Sequence, residues 1–189
     1  MHKIIYSSPN KIDWDAQSAF KITNYYTDNE ECMVFCYLKQ YVSAGDLKLC
    51  TYCFDSEATG KKDIQLCLNL NPVMFDTFLF IEAGIDGINR IELVDPANNS
   101  IKSLNTDIFQ YHTFRTNDQQ GFYWCGEITL PEDFIKEYFS THLEEKSIIL
   151  LNFYKVFEGC QDYACLFPDE TDNLIDRYTT MEEFIVLNY

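Results

Sequence analysis

The chain has 189 residues, with 14 Lys and Arg against 30 Asp and Glu, a net charge of −16, and 16% aromatic residues. That length fits a single domain spanning residues 1–189, able to bury roughly 70% of its unfolded surface. The acidic balance excludes nucleic acid as an expected partner, because such binding draws on neutralised phosphates, and equally an anionic membrane surface.

The N-terminal stretch Met1–Pro9 carries a single lysine and no apolar run of signal-peptide length. No segment approaches the ~20 apolar residues of a membrane helix, so the sequence reads as cytoplasmic. Lys11 to Ile22 reads as a turn around Trp14 leading into an edge strand. Cys32–Val42 and Asp46–Asp55 read as strands joined by a short hairpin connection at Ser43–Asp46. After a polar loop, Asp63–Asn71 alternates, with Ile64, Leu66, Leu68 and Leu70 facing inward and Gln65, Cys67 and Asn69 outward. Phe75–Ala83 and Ile88–Val94 flank Gly84-Ile-Asp-Gly87, a second hairpin signal.

Asp95–Ser100 is a turn and Ile108–Arg115 a strand. Gly121–Pro131 alternates again, with Phe122, Trp124, Gly126, Ile128 and Leu130 in one row. Pro131, Glu132 and Asp133 open the one convincing helix, expected to run to His142: proline presets the backbone angle and the carboxylates meet the positive end of the dipole. Ile148–Phe157 returns as a strand carrying Asn152-Phe153-Tyr154-Lys155. An acidic loop, Asp169–Arg177, precedes a closing strand, Glu183–Leu187. Many short strands and one short helix predict a mainly β fold, an antiparallel β-sandwich of the jelly-roll or immunoglobulin-like kind.

The eight cysteines give no metal or redox motif. Cys50 and Cys53 match CxxC, but three residues apart on a strand they face opposite ways and cannot share a zinc ion. Cys32 and Cys36 share a face at roughly 13 Å, too far for a disulfide. Buried thiols in a reducing compartment are expected. Carboxylate pairs abound in so acidic a chain, yet none sits in an aromatic setting that would split two pKa values. Neither a Gly-x-Ser-x-Gly elbow nor a glycine-rich phosphate loop occurs, and nothing reads as an enzyme. Asp55-Ser-Glu-Ala-Thr-Gly and Asp169-Glu-Thr-Asp172 offer oxygen ligands without EF-hand spacing. No cofactor is expected, and calcium is the one candidate ion.

Recognition by flat rings and planar polar groups remains, which suits a neutral sugar. Gln65, Glu82, Asn152, Tyr154, Lys155 and Phe167 are the candidate ligand-binding residues.

The motif order resembles a family 9 carbohydrate-binding module, in particular its free-standing bacterial members. Trp14-Asp-Ala16 is similar to the family's opening Trp-Asp-x-Ala, and Leu47–Asp55 to a strand ending in an acidic dipeptide. Asp63-Ile-Gln-Leu-Cys-Leu-Asn69 resembles Asp-x-Val-Glu-Phe-Phe, and Phe80–Gly87 resembles Phe-Glu-x-Asn-x-x-Gly. Gly121–Pro131 resembles the Gly-Trp-Trp strand ending in Ile-Pro, and Asn152–Lys155 the late Asn-Phe-Tyr-Lys. Ala164–Pro168 falls where the family has Ser-Trp-x-Pro. The resemblance implies a β-sandwich that binds a neutral sugar or oligosaccharide without catalysis, often between two tryptophans, and sometimes structural calcium. Departures fall on the site: Gln65 replaces an acid, Gly84 an asparagine, and Leu166-Phe167 a tryptophan. Trp14 and Trp124 read as core packing. The competing expectation is an interaction or scaffold protein that kept the sandwich and lost the sugar site.

Overall fold

Ala44 and Gly45 both take positive φ, 52° and 86°, and so close a two-residue hairpin between two of the central strands. The computed structural model describes residues 1–6, 14, 17–26, 36–55, 62–118, 121–157, 163–171 and 173–188. Among these the strands are β1 (His2–Tyr6), β2 (Ala19–Lys21), β3 (Asn24–Tyr26), β4 (Cys36–Ser43), β5 (Asp46–Asp55), β6 (Lys62–Asn69) and β7 (Phe78–Gly84). They continue with β8 (Gly87–Asp95), β9 (Ser100–Ser103), β10 (Gln110–Asp118), β11 (Gly121–Leu130), β12 (Ile148–Phe157), β13 (Tyr163–Cys165) and β14 (Glu182–Asn188).

The fold is mainly β, one strongly curled sheet in the order β10-β11-β5-β4-β1-β14-β12-β6-β7-β8-β9, with β2, β3 and β13 off this path. The sandwich-like expectation holds, with one correction: the sheet is mixed, because β1 runs parallel to both β4 and β14. The short N-terminal strand, His-Lys-Ile-Ile-Tyr, has two adjacent isoleucines and no alternation from which that pairing could be read. The expected loop over Asp169–Arg177 also ends differently, in a 3₁₀ segment at Ile175–Thr180.

Curling brings β4, β5 and β11 over β6, β7 and β12. Leu38, Leu49, Trp124 and Ile128 from one side and Leu66, Ile81, Leu151 and Phe153 from the other make one continuous core. The inward row read from β6 holds: Ile64, Leu66, Leu68 and Leu70 are all buried there. Trp124 lies in this core, as expected, and Trp14 packs edge-on against Tyr41 with ring centroids 4.9 Å apart.

Helix α1 (Glu132–Phe139) starts where expected and stops three residues early, at Ser140 with φ 50°. The Asp46 carboxylate accepts from the Glu132 backbone N–H at 2.9 Å, supplying the side-chain cap that Pro131 lacks. Phe134, Ile135 and Phe139 face the core. No helix among the described residues is long and apolar enough to cross a membrane.

The curl is fastened where β10 meets the β7–β8 hairpin, as the Tyr111 hydroxyl donates to the Gly84 carbonyl at 2.7 Å. Gly126 of β11 makes room for that ring: a Cβ there would stand 2.6 Å from Tyr111 Oη and 3.2 Å from Thr51 Oγ1. Gly126→Ala is therefore expected to destabilise the protein by ~1–3 kcal/mol through overpacking, lowering the melting temperature by a few degrees in a thermal melt. An unchanged melting temperature would show that Tyr111 does not hold the curl.

Candidate functional site

β6, β7, β8 and β12 bury one face in the core and turn the other outward. Strand register sets one row across that outer face: Tyr154 pairs with Gln65, Gln65 with Glu82, and Glu82 with Arg90. The next row runs Asn152, Cys67, Phe80 and Glu92. A period of two residues along each strand puts all eight side chains on one surface.

Within the first row, Gln65 Nε2 donates to Glu82 Oε2 at 2.6 Å. Arg90 Nη2 lies 3.8 Å from the same Glu82 oxygen, and Arg90 Nε 3.8 Å from Glu92 Oε2. The Arg90 guanidinium also covers the Phe80 ring, 4.6 Å from its centroid. Arg90 is 45% exposed and Glu82 23%, so these two are the solvent-facing members.

The other end of the row is closed by the chain itself. Arg177, in the 3₁₀ segment Ile175–Thr180, donates through Nη1 to Gln65 Oε1 at 2.7 Å and lies 4.3 Å from the centroid of the Tyr154 ring. Its Nε stands 3.8 Å from the buried Asp169 Oδ2. Asp169 is held in place from three directions. Its Oδ1 accepts from the Thr171 N–H at 2.8 Å, its carbonyl accepts from the Tyr163 hydroxyl, and its N–H donates to the Tyr26 hydroxyl at 3.2 Å. The Tyr26 and Tyr163 rings stack at 4.8 Å. Leu174, Ile175 and Tyr178 then pack on a second apolar cluster of Cys67, Phe78, Phe80, Val94, Tyr154, Cys165 and Met181.

Of the six residues expected from sequence, Gln65, Glu82 and Tyr154 share the row. Asn152 lies one row along, fully buried. Its amide donates to Phe167 O and Thr180 O, both at 3.2 Å, and its carbonyl accepts from the Phe153 and Phe167 N–H groups. Lys155 is on the opposite face, fully buried, with Nζ 5.0 Å from the Trp124 ring centroid. Phe167 is buried at the core edge between His2 and Phe184, at centroid distances of 5.0 and 6.0 Å. The structure therefore joins three of the six on one open-ended row and gives the other three packing and hydrogen-bonding surroundings. Arg90, Glu92 and Arg177 were not expected, and Asp169 was read only as an oxygen ligand for calcium. Alternation along Gly87–Asp95 would have found Arg90, but nothing local marks Arg177.

Among the described residues no three His, Cys, Asp or Glu side chains are placed to hold a metal ion. Of the two oxygen-rich segments considered for calcium, residues 56–60 and Asp172 lie outside the described residues, and Asp169 is committed to Thr171 and Arg177. A separate cavity of about 390 Å³ opens beside the β7–β8 hairpin, lined by Asp86, Thr106, Asp107, Phe109, Tyr111 and Thr113. None of the six expected residues borders it.

Burial shapes the titration of this region. It pushes the Cys67 and Cys165 thiols and the Tyr163 phenol up to about 12 and raises Tyr154 well above the ordinary tyrosine range. The folded state therefore keeps protons that the unfolded chain releases above about pH 9 for Cys and about pH 10 for Tyr. Stability from these groups is complete below that range and is lost as pH rises toward 12. Denaturant melts are expected to show a flat midpoint from pH 7 to about 8.5 and a progressive fall above about pH 9. A midpoint constant to pH 11 would contradict the burial of these groups.

No protein-family model matches the sequence, and no curated protein matches it. Solved structures do match. A family 9 carbohydrate-binding module from Caldicellulosiruptor kristjanssonii in complex with cellotriose superposes with a TM-score of 0.62 and 14% identity, covering 100% of this chain and 94% of that one. The same kind of module from that organism in complex with glucose gives 0.63 and 14%, over 99% and 95%. A Bacteroides uniformis protein named for carbohydrate binding gives 0.72 and 8%, over 98% and 99%. The chain has the fold of family 9 carbohydrate-binding modules, at low sequence identity.

Proposed function

We propose that the protein binds a neutral sugar or oligosaccharide, without chemistry of its own, at the open end of the Tyr154–Gln65–Glu82–Arg90 row. The observation carrying this is the planar polar ladder itself. Across one sheet face Arg177 bonds Gln65, Gln65 bonds Glu82, and Arg90 lies beside Glu82, so a carboxylate, an amide and two guanidinium groups follow one another with Glu82 and Arg90 reaching solvent. Planar groups of this kind bond vicinal hydroxyls while fixing orientation. Two of the solved structures that share the fold are sugar complexes, which supports the ligand class. A net charge of −16 fits a neutral ligand better than a polyanion.

Arg177 occupies the Tyr154 ring that a pyranose would otherwise cover, so the ligand meets the Glu82 and Arg90 end. A second reading, an interaction protein on the same sandwich, is favoured by the exposed apolar run Val73, Met74 and Phe75 in the loop before β7.

Calorimetric titration with glucose and with cellotriose tests the first reading. Measurable heat with at least one sugar is expected, and Arg90→Ala should weaken binding tenfold or more, ~1.4 kcal/mol. The same substitution uncovers Phe80 and leaves the largely buried Glu92 without its cation, so a lower melting temperature is expected beside the loss of binding, and the titration is run well below it. No heat at millimolar sugar would overturn sugar binding and leave the interaction reading.

A further inference from the structure

Cys50 and Cys53 of β5 face opposite sides of the sheet, and each meets another cysteine there. Cys53 Sγ lies 3.0 Å from Cys36 Sγ of β4, and Cys50 Sγ lies 3.1 Å from Cys125 Sγ of β11. All four side chains are fully buried. The sulfur separations are nearly equal, but the backbone relations are not. Cys36 and Cys53 are directly opposed in the antiparallel β4–β5 ladder. Directly opposed residues have Cα atoms about 4.5 or 5.5 Å apart, inside the window of roughly 4.4–6.8 Å that a disulfide needs. Cys50 is instead opposite Glu127, and Cys125 opposite Tyr52, so Cys50 and Cys125 are diagonal neighbours. Diagonal positions stand about 7–8 Å apart, where bridging requires backbone movement.

Both pairs are fully buried, so a reagent reaches either of them only when the sheet opens locally.

We propose that Cys36 and Cys53 are a disulfide-forming pair, oxidised by a low-molecular-weight disulfide such as oxidised glutathione, and that Cys50 and Cys125 are not. The Cys36 thiolate attacks one sulfur of the reagent, forming a mixed disulfide and expelling one reagent thiolate. The Cys53 thiolate then attacks Cys36 Sγ and expels the second. The protein loses two protons and two electrons, and the reagent disulfide is reduced to two thiols. Because the partners are 17 residues apart in sequence, the cross-link closes a short loop and removes freedom from the unfolded chain. It pins β4 to β5 whatever the outer face of the sheet binds.

The full chain, purified in reductant, is incubated with oxidised glutathione at a urea concentration below its unfolding midpoint. It is then alkylated after denaturation and mapped by peptide mass spectrometry. A Cys36–Cys53 peptide is expected, with Cys50 and Cys125 still alkylated, and a melting temperature roughly 5–10 °C above that of the reduced protein. Cys36→Ser should abolish that rise and Cys50→Ser should keep it. Should Cys36→Ser not fold, the wild-type map and melting shift decide alone. Absence of the Cys36–Cys53 peptide, or a Cys50–Cys125 peptide in comparable yield, overturns the proposal.

Discussion

The outer face of the sheet depends on one buried ion pair. The Asp169 carboxylate has no exposed surface, and the cation beside it is Arg177. Removing one partner of such a pair costs ~3–5 kcal/mol, because the other is left charged in a low-dielectric setting. Arg177 does more than neutralise: the same guanidinium bonds Gln65 and covers the Tyr154 ring. The segment from Asp169 to Met181 is therefore tied to the sheet at its start, its middle and its end. Thr180 completes the tie, with Oγ1 2.9 Å from the Tyr154 hydroxyl and its carbonyl accepting from Asn152.

That closure divides the sheet surface into two parts. Over β12 the outer face is dry, with Tyr154, Cys67 and Phe80 packed under Met181, Leu174 and Tyr178. Over β7 and β8 it is polar and partly open, with Glu82 and Arg90 as its accessible groups. The unexpected arginines sit at the two boundaries, each laid over an aromatic ring. A ligand that takes up planar hydrogen bonds fits the open part, and the covered part gives those groups a rigid base.

How far the sequence reveals this depends on which side of a strand it had to distinguish. β6 alternates cleanly, so its inward row of Ile64, Leu66 and Leu68 and the outward Gln65 could both be read. β12 reads Ile-Ile-Leu-Leu-Asn-Phe-Tyr-Lys-Val-Phe, apolar on both faces, because both are buried. With no phase to read, adjacent Tyr154 and Lys155 were grouped in one site, although neighbours on a strand must point oppositely. Lys155 went to the core over Trp124 and Tyr154 to the outer face. The helix start was legible from Pro131 and its carboxylates, while its cap, Asp46, came from a distant hairpin. Arg177 could not be found at all. It lies 112 residues from Gln65, and its role exists only once β6 and the 3₁₀ segment are brought together.

The proposed sugar surface is the row ending at Glu82 and Arg90. Amide and side-chain NMR shifts of the labelled full chain, followed during titration with cellotriose, test it most directly. Sugar seated on that row gives saturable shifts concentrated on Gln65, Glu82, Arg90 and Arg177, with β4, β5 and β11 unmoved. Saturable shifts confined to another surface, such as the Asp86–Tyr111 cavity, or no shifts at all, would contradict it.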